Sequence, residues 1–152
     1  MNKKKLQREQ LARKMEGLAA ALLVTPPAAG WIKATRTALG ITMQQLANKL
    51  SKTRQSVEDS ERRESEGSIT INALKETATA LDMQLVYGFV PLDGTIDNLI
   101  ERKASELAKQ IVLRTSASMK LEDQENSKQR LEKAIAEKTL ELKTEMPKIL
   151  WD

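Results

Sequence analysis

Residues 41–63 read ITMQQLANKLSKTRQSVEDSERR, two short helices around a tight turn. Thr42 is placed to cap the first helix, and Leu46, Ala47 and Leu50 form its apolar stripe. Ser51-Lys52 make the break. Thr53 is placed to cap the second helix, with Val57 facing inward. This spacing is that of a helix-turn-helix. The second helix of such a unit lies in the major groove and reads base edges. Arg54, Gln55 and Ser56 follow its cap and are the candidate base readers, Arg54 suited to guanine and Gln55 to adenine. Gln44, Lys49, Lys52, Thr53 and Arg62 are candidate phosphate contacts, which fix register without reading sequence.

Working outward, Gly30-Trp31 opens the same domain. Trp31, Ile32, Thr35, Ala38 and Leu39 spell a short helix stopped by Gly40. Arg62 to Gly67 read as a polar connection and Ser68 to Ile71 as an extended lead-in. Asn72 to Leu81 spell a further helix, with Ala73, Leu74, Thr77, Ala78 and Leu81 inward. Asp82 to Pro91, DMQLVYGFVP, alternates and is rich in Val and aromatics, the pattern of one β-strand. A lone strand leaves its ladder groups unpaired. It therefore calls for a second strand, and its copy in a homodimer is the candidate.

Two flanking segments complete the organisation. In residues 3–23, Leu11, Met15, Leu18 and Leu22 recur at helical spacing with charges opposite. Val24-Thr25-Pro26-Pro27 ends that helix. Residues 1–29 are thus an N-terminal helical arm and Pro linker. The arm either packs on the domain or a second copy, or docks on another protein or DNA phosphates. Residues 30–92 are the helix-turn-helix domain with its strand. From 93 to 152 a C-terminal helical extension follows the turn Leu92-Asp93-Gly94. Thr95 caps a long helix through Ile96, Leu99, Ile100, Leu107 and Ile111 toward Met119. Gln124 to Asn126 read as a break, and a second helix through Leu131, Ile135 and Leu142 closes at Pro147. The terminal Leu150-Trp151 pair suits a groove. This hairpin is a scaffold, a dimer interface or a surface for a protein partner. The expected fold class is mainly α.

The 152 residues contain no Cys and no His. That removes disulfides, thiolate nucleophiles, His bases and nearly every zinc or iron site. No glycine-rich phosphate loop is present. The reading is a non-enzyme without cofactor or metal. No apolar run nears the ~20 residues of a membrane span, and Arg13, Lys14 and Glu16 interrupt any leader. A cytoplasmic protein is expected. The net charge of +4 is unevenly spread. Residues 1–30 hold six basic and two acidic residues, and residues 31–66 seven and five. Residues 67–94 hold one and three, and residues 95–152 eleven of each. The basic excess sits in the N-terminal half beside the candidate reading head, where it attracts polyanions.

WIKATRTALGITMQQLANKL, followed by a Val-containing helix and Glu61, resembles the Xre and phage-repressor type of helix-turn-helix regulator. GWIKATRTALG, EGSITINALKETATALDMQLVYGFVP, LEDQ and the terminal LW together resemble the group called mobile mystery protein A. That resemblance spans Gly30 to Trp151. It implies a mobile-element protein encoded beside a Fic-domain partner. Fic proteins commonly transfer AMP to target proteins and act as toxins. The chain would then be an antitoxin that also represses its own promoter, a sequence-specific repressor of double-stranded DNA. The alternative is an inhibitor of a Fic AMP-transferase with weak or lost DNA binding. Some Fic inhibitors carry a helix with Ser or Thr, three residues, then Glu and Gly or Asn. In ARKMEG, residues 12–17, Glu16 and Gly17 keep that spacing, and Ala12 stands where the hydroxyl belongs. The chain departs from the Xre pattern at Met43, at Ser51 in the turn, at Lys52 and at Ser60. Glu58 and Asp59 add acids where cations would help.

Overall fold

The computed structural model describes residues 2–116 and 124–152, and it is mainly helical. The chain divides into two compact units, Ala20–Gly88 and the combination of Met1–Ala19 with Phe89–Asp152.

The arm opens with α1, Lys3–Glu16, where the Asn2 side chain accepts from the Lys4 N–H at 3.0 Å. Gly17 ends α1, and Ala19–Leu23 form a separate 3-10 turn. The single helix expected over 3–23 is therefore two pieces. Glycine, among the weakest helix formers, sits at the joint. No residue of α1 is buried, and Leu11 and Leu22 of the apolar stripe stay half exposed.

Four helices build Ala20–Gly88: α2 (Trp31–Ala38), α3 (Met43–Leu50), α4 (Arg54–Glu66) and α5 (Ile71–Ala80). Each of the last three starts on a threonine whose hydroxyl accepts the N–H three residues on: Thr42 from Gln45, Thr53 from Ser56, Thr70 from Ala73. Gln45 returns the bond to the Thr42 N–H at 2.8 Å, closing a capping box. α4 takes in five residues of the expected connection, Arg62 to Glu66. It stops only at Gly67, whose left-handed φ of 82° costs glycine little. Ile32, Leu46, Ala47, Val57 and Leu81 form the core, ringed by Ile41, Met43, Leu50, Ile69, Leu74 and Ala80. α3 lies against α4 and α5, and α2 against the same two helices. Thr77 is buried by donating its hydroxyl to the Ala73 carbonyl at 2.9 Å.

The expected β-strand does not form among the described residues. Residues 83–91 run without helix, turn or bend, and no ladder partner lies beside them. The sequence pattern is that of a strand, but a strand needs a neighbour to bond.

In the second unit, Thr95 caps α6 (Ile96–Ser116), accepting from the Asn98 N–H at 3.0 Å. α7 (Gln124–Glu145) returns antiparallel along it. Gln124 to Asn126, expected as a break, are already helical. The stretch toward Met119 lies outside the described residues. Ala104 and Ala108 let the helices approach, and Leu142 and Leu150 fill the seam, with Leu107, Ile111, Ile135 and Met146 at its rim. Lys143 pairs with Glu101 across it. Of the terminal pair, Leu150 is buried and Trp151 half exposed. No helix among the described residues is long and apolar enough to cross a membrane.

Candidate nucleic-acid interface

α3, the turn at Ser51 to Thr53, and α4 place every sequence-predicted DNA contact within one unit. Ser51 carries the turn with φ 53°. Its N–H reaches back to the Asn48 carbonyl, and the Lys52 N–H to that of Ala47. Serine here accepts a left-handed conformation that glycine would take more cheaply.

Two carboxylates seat α4, and both come from its second half. Glu61 is buried and accepts Arg36 Nε at 2.6 Å, while Arg36 Nη1 donates to the Ile41 carbonyl at 3.1 Å. One guanidinium thus ties α2, α4 and the loop before α3. Glu64 accepts the N–H groups of Trp31 and Ile32 at 2.7 and 2.9 Å. It caps α2 from another helix and complements that helix's positive end. This explains Gly30. Its φ is 90°, and a Cβ there would meet the Glu64 carboxyl at 2.8 Å. Ser60, next to Glu61, is half buried and offers little apolar contact, so these ties carry much of the seating.

The candidate base readers differ in how committed they are. Arg54 is exposed at the first turn of α4, with no hydrogen bond or ion pair among the described residues. Gln55 is exposed, but its amide donates to Asp59 at 3.3 Å. Ser56 is half buried, its N–H held by Thr53. Among the candidate phosphate contacts, Lys49 is exposed and unpaired among the described residues. Gln44 donates to Asn48 at 2.9 Å, Lys52 pairs with Glu76 at 3.1 Å, and Arg62 pairs with Asp59 at 3.3 Å. These last pairs are solvent-exposed, so their rearrangement costs little. Asp59 therefore restrains both Gln55 and Arg62, and the exposed Glu58 adds an acid beside the half-buried Asp59.

Sequence reasoning missed Arg36, Glu64 and Lys75. Lys75 shares an open recess with Lys49, Asn72 and Glu76. Its only sequence signal is being the single cation of residues 67–94. Glu16 and Gly17 belong to the other compact unit, Glu16 exposed at the last position of α1 and Gly17 as its cap. Among the described residues no three acidic side chains gather as a metal site would require. No family model, curated protein or solved structure matches this chain.

Proposed function

We propose that this chain is a sequence-specific DNA-binding repressor whose α3 and α4 act as a helix-turn-helix. The observation that carries this reading is Arg54. It is an uncommitted guanidinium on the first turn of a helix fixed by Thr53, Glu61 and Glu64, where a base reader must project from a rigid support. Gln55 reaches an adenine edge on releasing Asp59. Lys49, Lys52, Arg62 and the threonine-capped starts of α3 and α4 hold phosphates. Following the resemblance to mobile mystery protein A, the operator is its own promoter and the protein is an antitoxin to a Fic-domain partner.

The test is fluorescence anisotropy of DNA from upstream of the gene against a scrambled duplex, with salt varied. Tight binding to the native duplex and a steep salt slope are expected. Arg54→Ala should cost on the order of 1–3 kcal/mol on that duplex and relax its specificity. Equal weak binding to both duplexes would end the reading.

A second reading is favoured by α1, which buries no residue of its own and presents Glu16 to solvent. In it the arm masks the nucleotide site of a Fic AMP-transferase, Glu16 pairing with the arginine that otherwise holds phosphate. Glu16→Gly should then release a co-expressed Fic partner. Inhibition that survives the change removes the arm from the mechanism.

A further inference from the structure

Residues 83–91 pose a problem of unspent bonding. The Met83 N–H donates to the Ala78 carbonyl at 2.8 Å. Beyond it, no backbone N–H or C=O from Gln84 to Val90 is hydrogen-bonded among the described residues. Val86, Tyr87 and Phe89 stand 68%, 61% and 85% exposed. The run from Met83 to Leu92 holds no charged residue. Proteins that leave such an edge open usually guard it with charge. Beneath its first half lies a cavity of about 310 Å³, lined by Trp31, Ile32, Leu74, Leu81, Met83 and Leu85 among others.

We propose that this segment is the contact between two copies of the chain, paired antiparallel about a two-fold axis at Tyr87. The register follows from geometry. About a two-fold axis, if residue i faces j then j faces i. Directly opposed residues share a face of the ladder, and faces alternate along each strand. Both conditions hold only when one residue faces its own copy. Tyr87 is the middle of the unbonded run Gln84 to Val90, so centring there pairs every residue of that run. Leu85 then faces the partner's Phe89. In such a ladder, alternation would place Met83, Leu85, Tyr87 and Phe89 on one apolar face. Lys75 Nζ lies 5.6 Å from the Tyr87 ring centroid, engaging the ring and leaving the backbone edge free. A second copy fits because the edge is uncharged and therefore opposes nothing charged when it meets itself. The inference does not rest on DNA binding, and its test uses no DNA.

The full chain at tens of micromolar should sediment at twice its 17.0 kDa mass. Tyr87→Lys sets two ammonium groups against each other across the axis at a position exposed in the single chain. It should give the 17.0 kDa species with an unchanged helical melt. The chain has no cysteine, so Tyr87→Cys introduces its only thiol. Opposed ladder residues lie at Cα distances of about 4.5–5.5 Å, which a disulfide spans. Mild oxidation should therefore give a covalent dimer. Leu140→Cys, exposed on the hairpin, should not. A single-copy mass for the parent chain overturns the proposal. So does a dimer that survives Tyr87→Lys, or cross-linking through Leu140→Cys as efficient as through Tyr87→Cys. Should Tyr87→Lys fail to fold, the two cysteine variants decide.

Discussion

The two compact units hold their helices together by different means. In Ala20–Gly88 the helices are short, eight residues for α2 and α3 and thirteen for α4. Helices of that length are marginal alone and bury little each. Their ends are tied by directional polar bonds: three threonine caps, the Arg36–Glu61 pair and the Glu64 carboxylate on α2. The hairpin uses helices of 21 and 22 residues closed on two alanines and two leucines, with its ion pairs outside. The contrast teaches that the first unit is vulnerable to loss of one charge and the second to a change of volume.

The largest effect should come from Arg36→Ala. It strands the Glu61 carboxylate, 5% exposed, without its partner. Removing one member of a buried pair costs about 3–5 kcal/mol. The chain's two tryptophans fall one in each unit, Trp31 and Trp151. Urea unfolding followed by Trp31 fluorescence in a Trp151→Phe background should show the loss. The Trp151 signal, in a Trp31→Phe background, should hold. Equal losses in both signals would break the comparison. The converse change is Ala108→Leu, which forces a larger side chain into a fully buried site of the hairpin. Overpacking of this kind costs about 1–3 kcal/mol, to be read at Trp151 and not at Trp31.

How much of this was legible in the sequence follows the same division. The caps at Thr42, Thr53 and Thr95 are visible in the sequence, because a cap is local and its signal lies within four residues; Thr70, expected in an extended lead-in, is a cap only in the structure. The core positions Leu46, Ala47, Val57 and Leu81 were visible through periodicity. Arg36 and Glu64 were not. Glu64 caps a helix that begins 33 residues earlier, and no local pattern encodes a partner at that range. The strand expected over 82–91 does not form among the described residues: alternation and Val-rich composition favour one, but a ladder belongs to two segments and no second segment lies beside this one. The arm was read as one amphipathic helix because Leu11, Leu18 and Leu22 keep the spacing. Gly17 outweighed that spacing by ending the helix. Of the candidate site, Arg54 and Lys49 were placed as exposed cations. The restraint of Gln55 and Arg62 by Asp59 depends on rotamers the sequence does not state.

A smaller effect, and one of opposite sign, should follow Ser51→Gly. An L-residue in the left-handed region pays roughly 1–2 kcal/mol, of which glycine's looser unfolded chain returns part. A net gain of about 0.5–1 kcal/mol is expected at Trp31, with no change at Trp151. A loss would mean that the serine side chain contributes to the turn and that end-ties reach further than the caps.

The smallest effect concerns the hairpin's surface and is a matter of pH. Arg102 donates Nε to Asp93 Oδ1 at 2.7 Å and Nη2 to Oδ2 at 3.1 Å. That bonding holds the Asp93 carboxyl below its ordinary 3.8. The folded chain therefore takes up this proton less readily than the unfolded chain. The stabilisation is complete above 3.8 and is lost as pH falls through the lower folded value. The stability difference between the parent and Asp93→Asn, read at Trp151, should be flat from neutral pH down to about 5 and close below it. Salt should shrink it, because the pair is exposed. A difference that persists at the acid limit would show the carboxyl acting through its shape and hydrogen bonds instead of its charge. The hairpin would then share the polar end-tying that distinguishes the other unit, and the contrast between them would be one of degree.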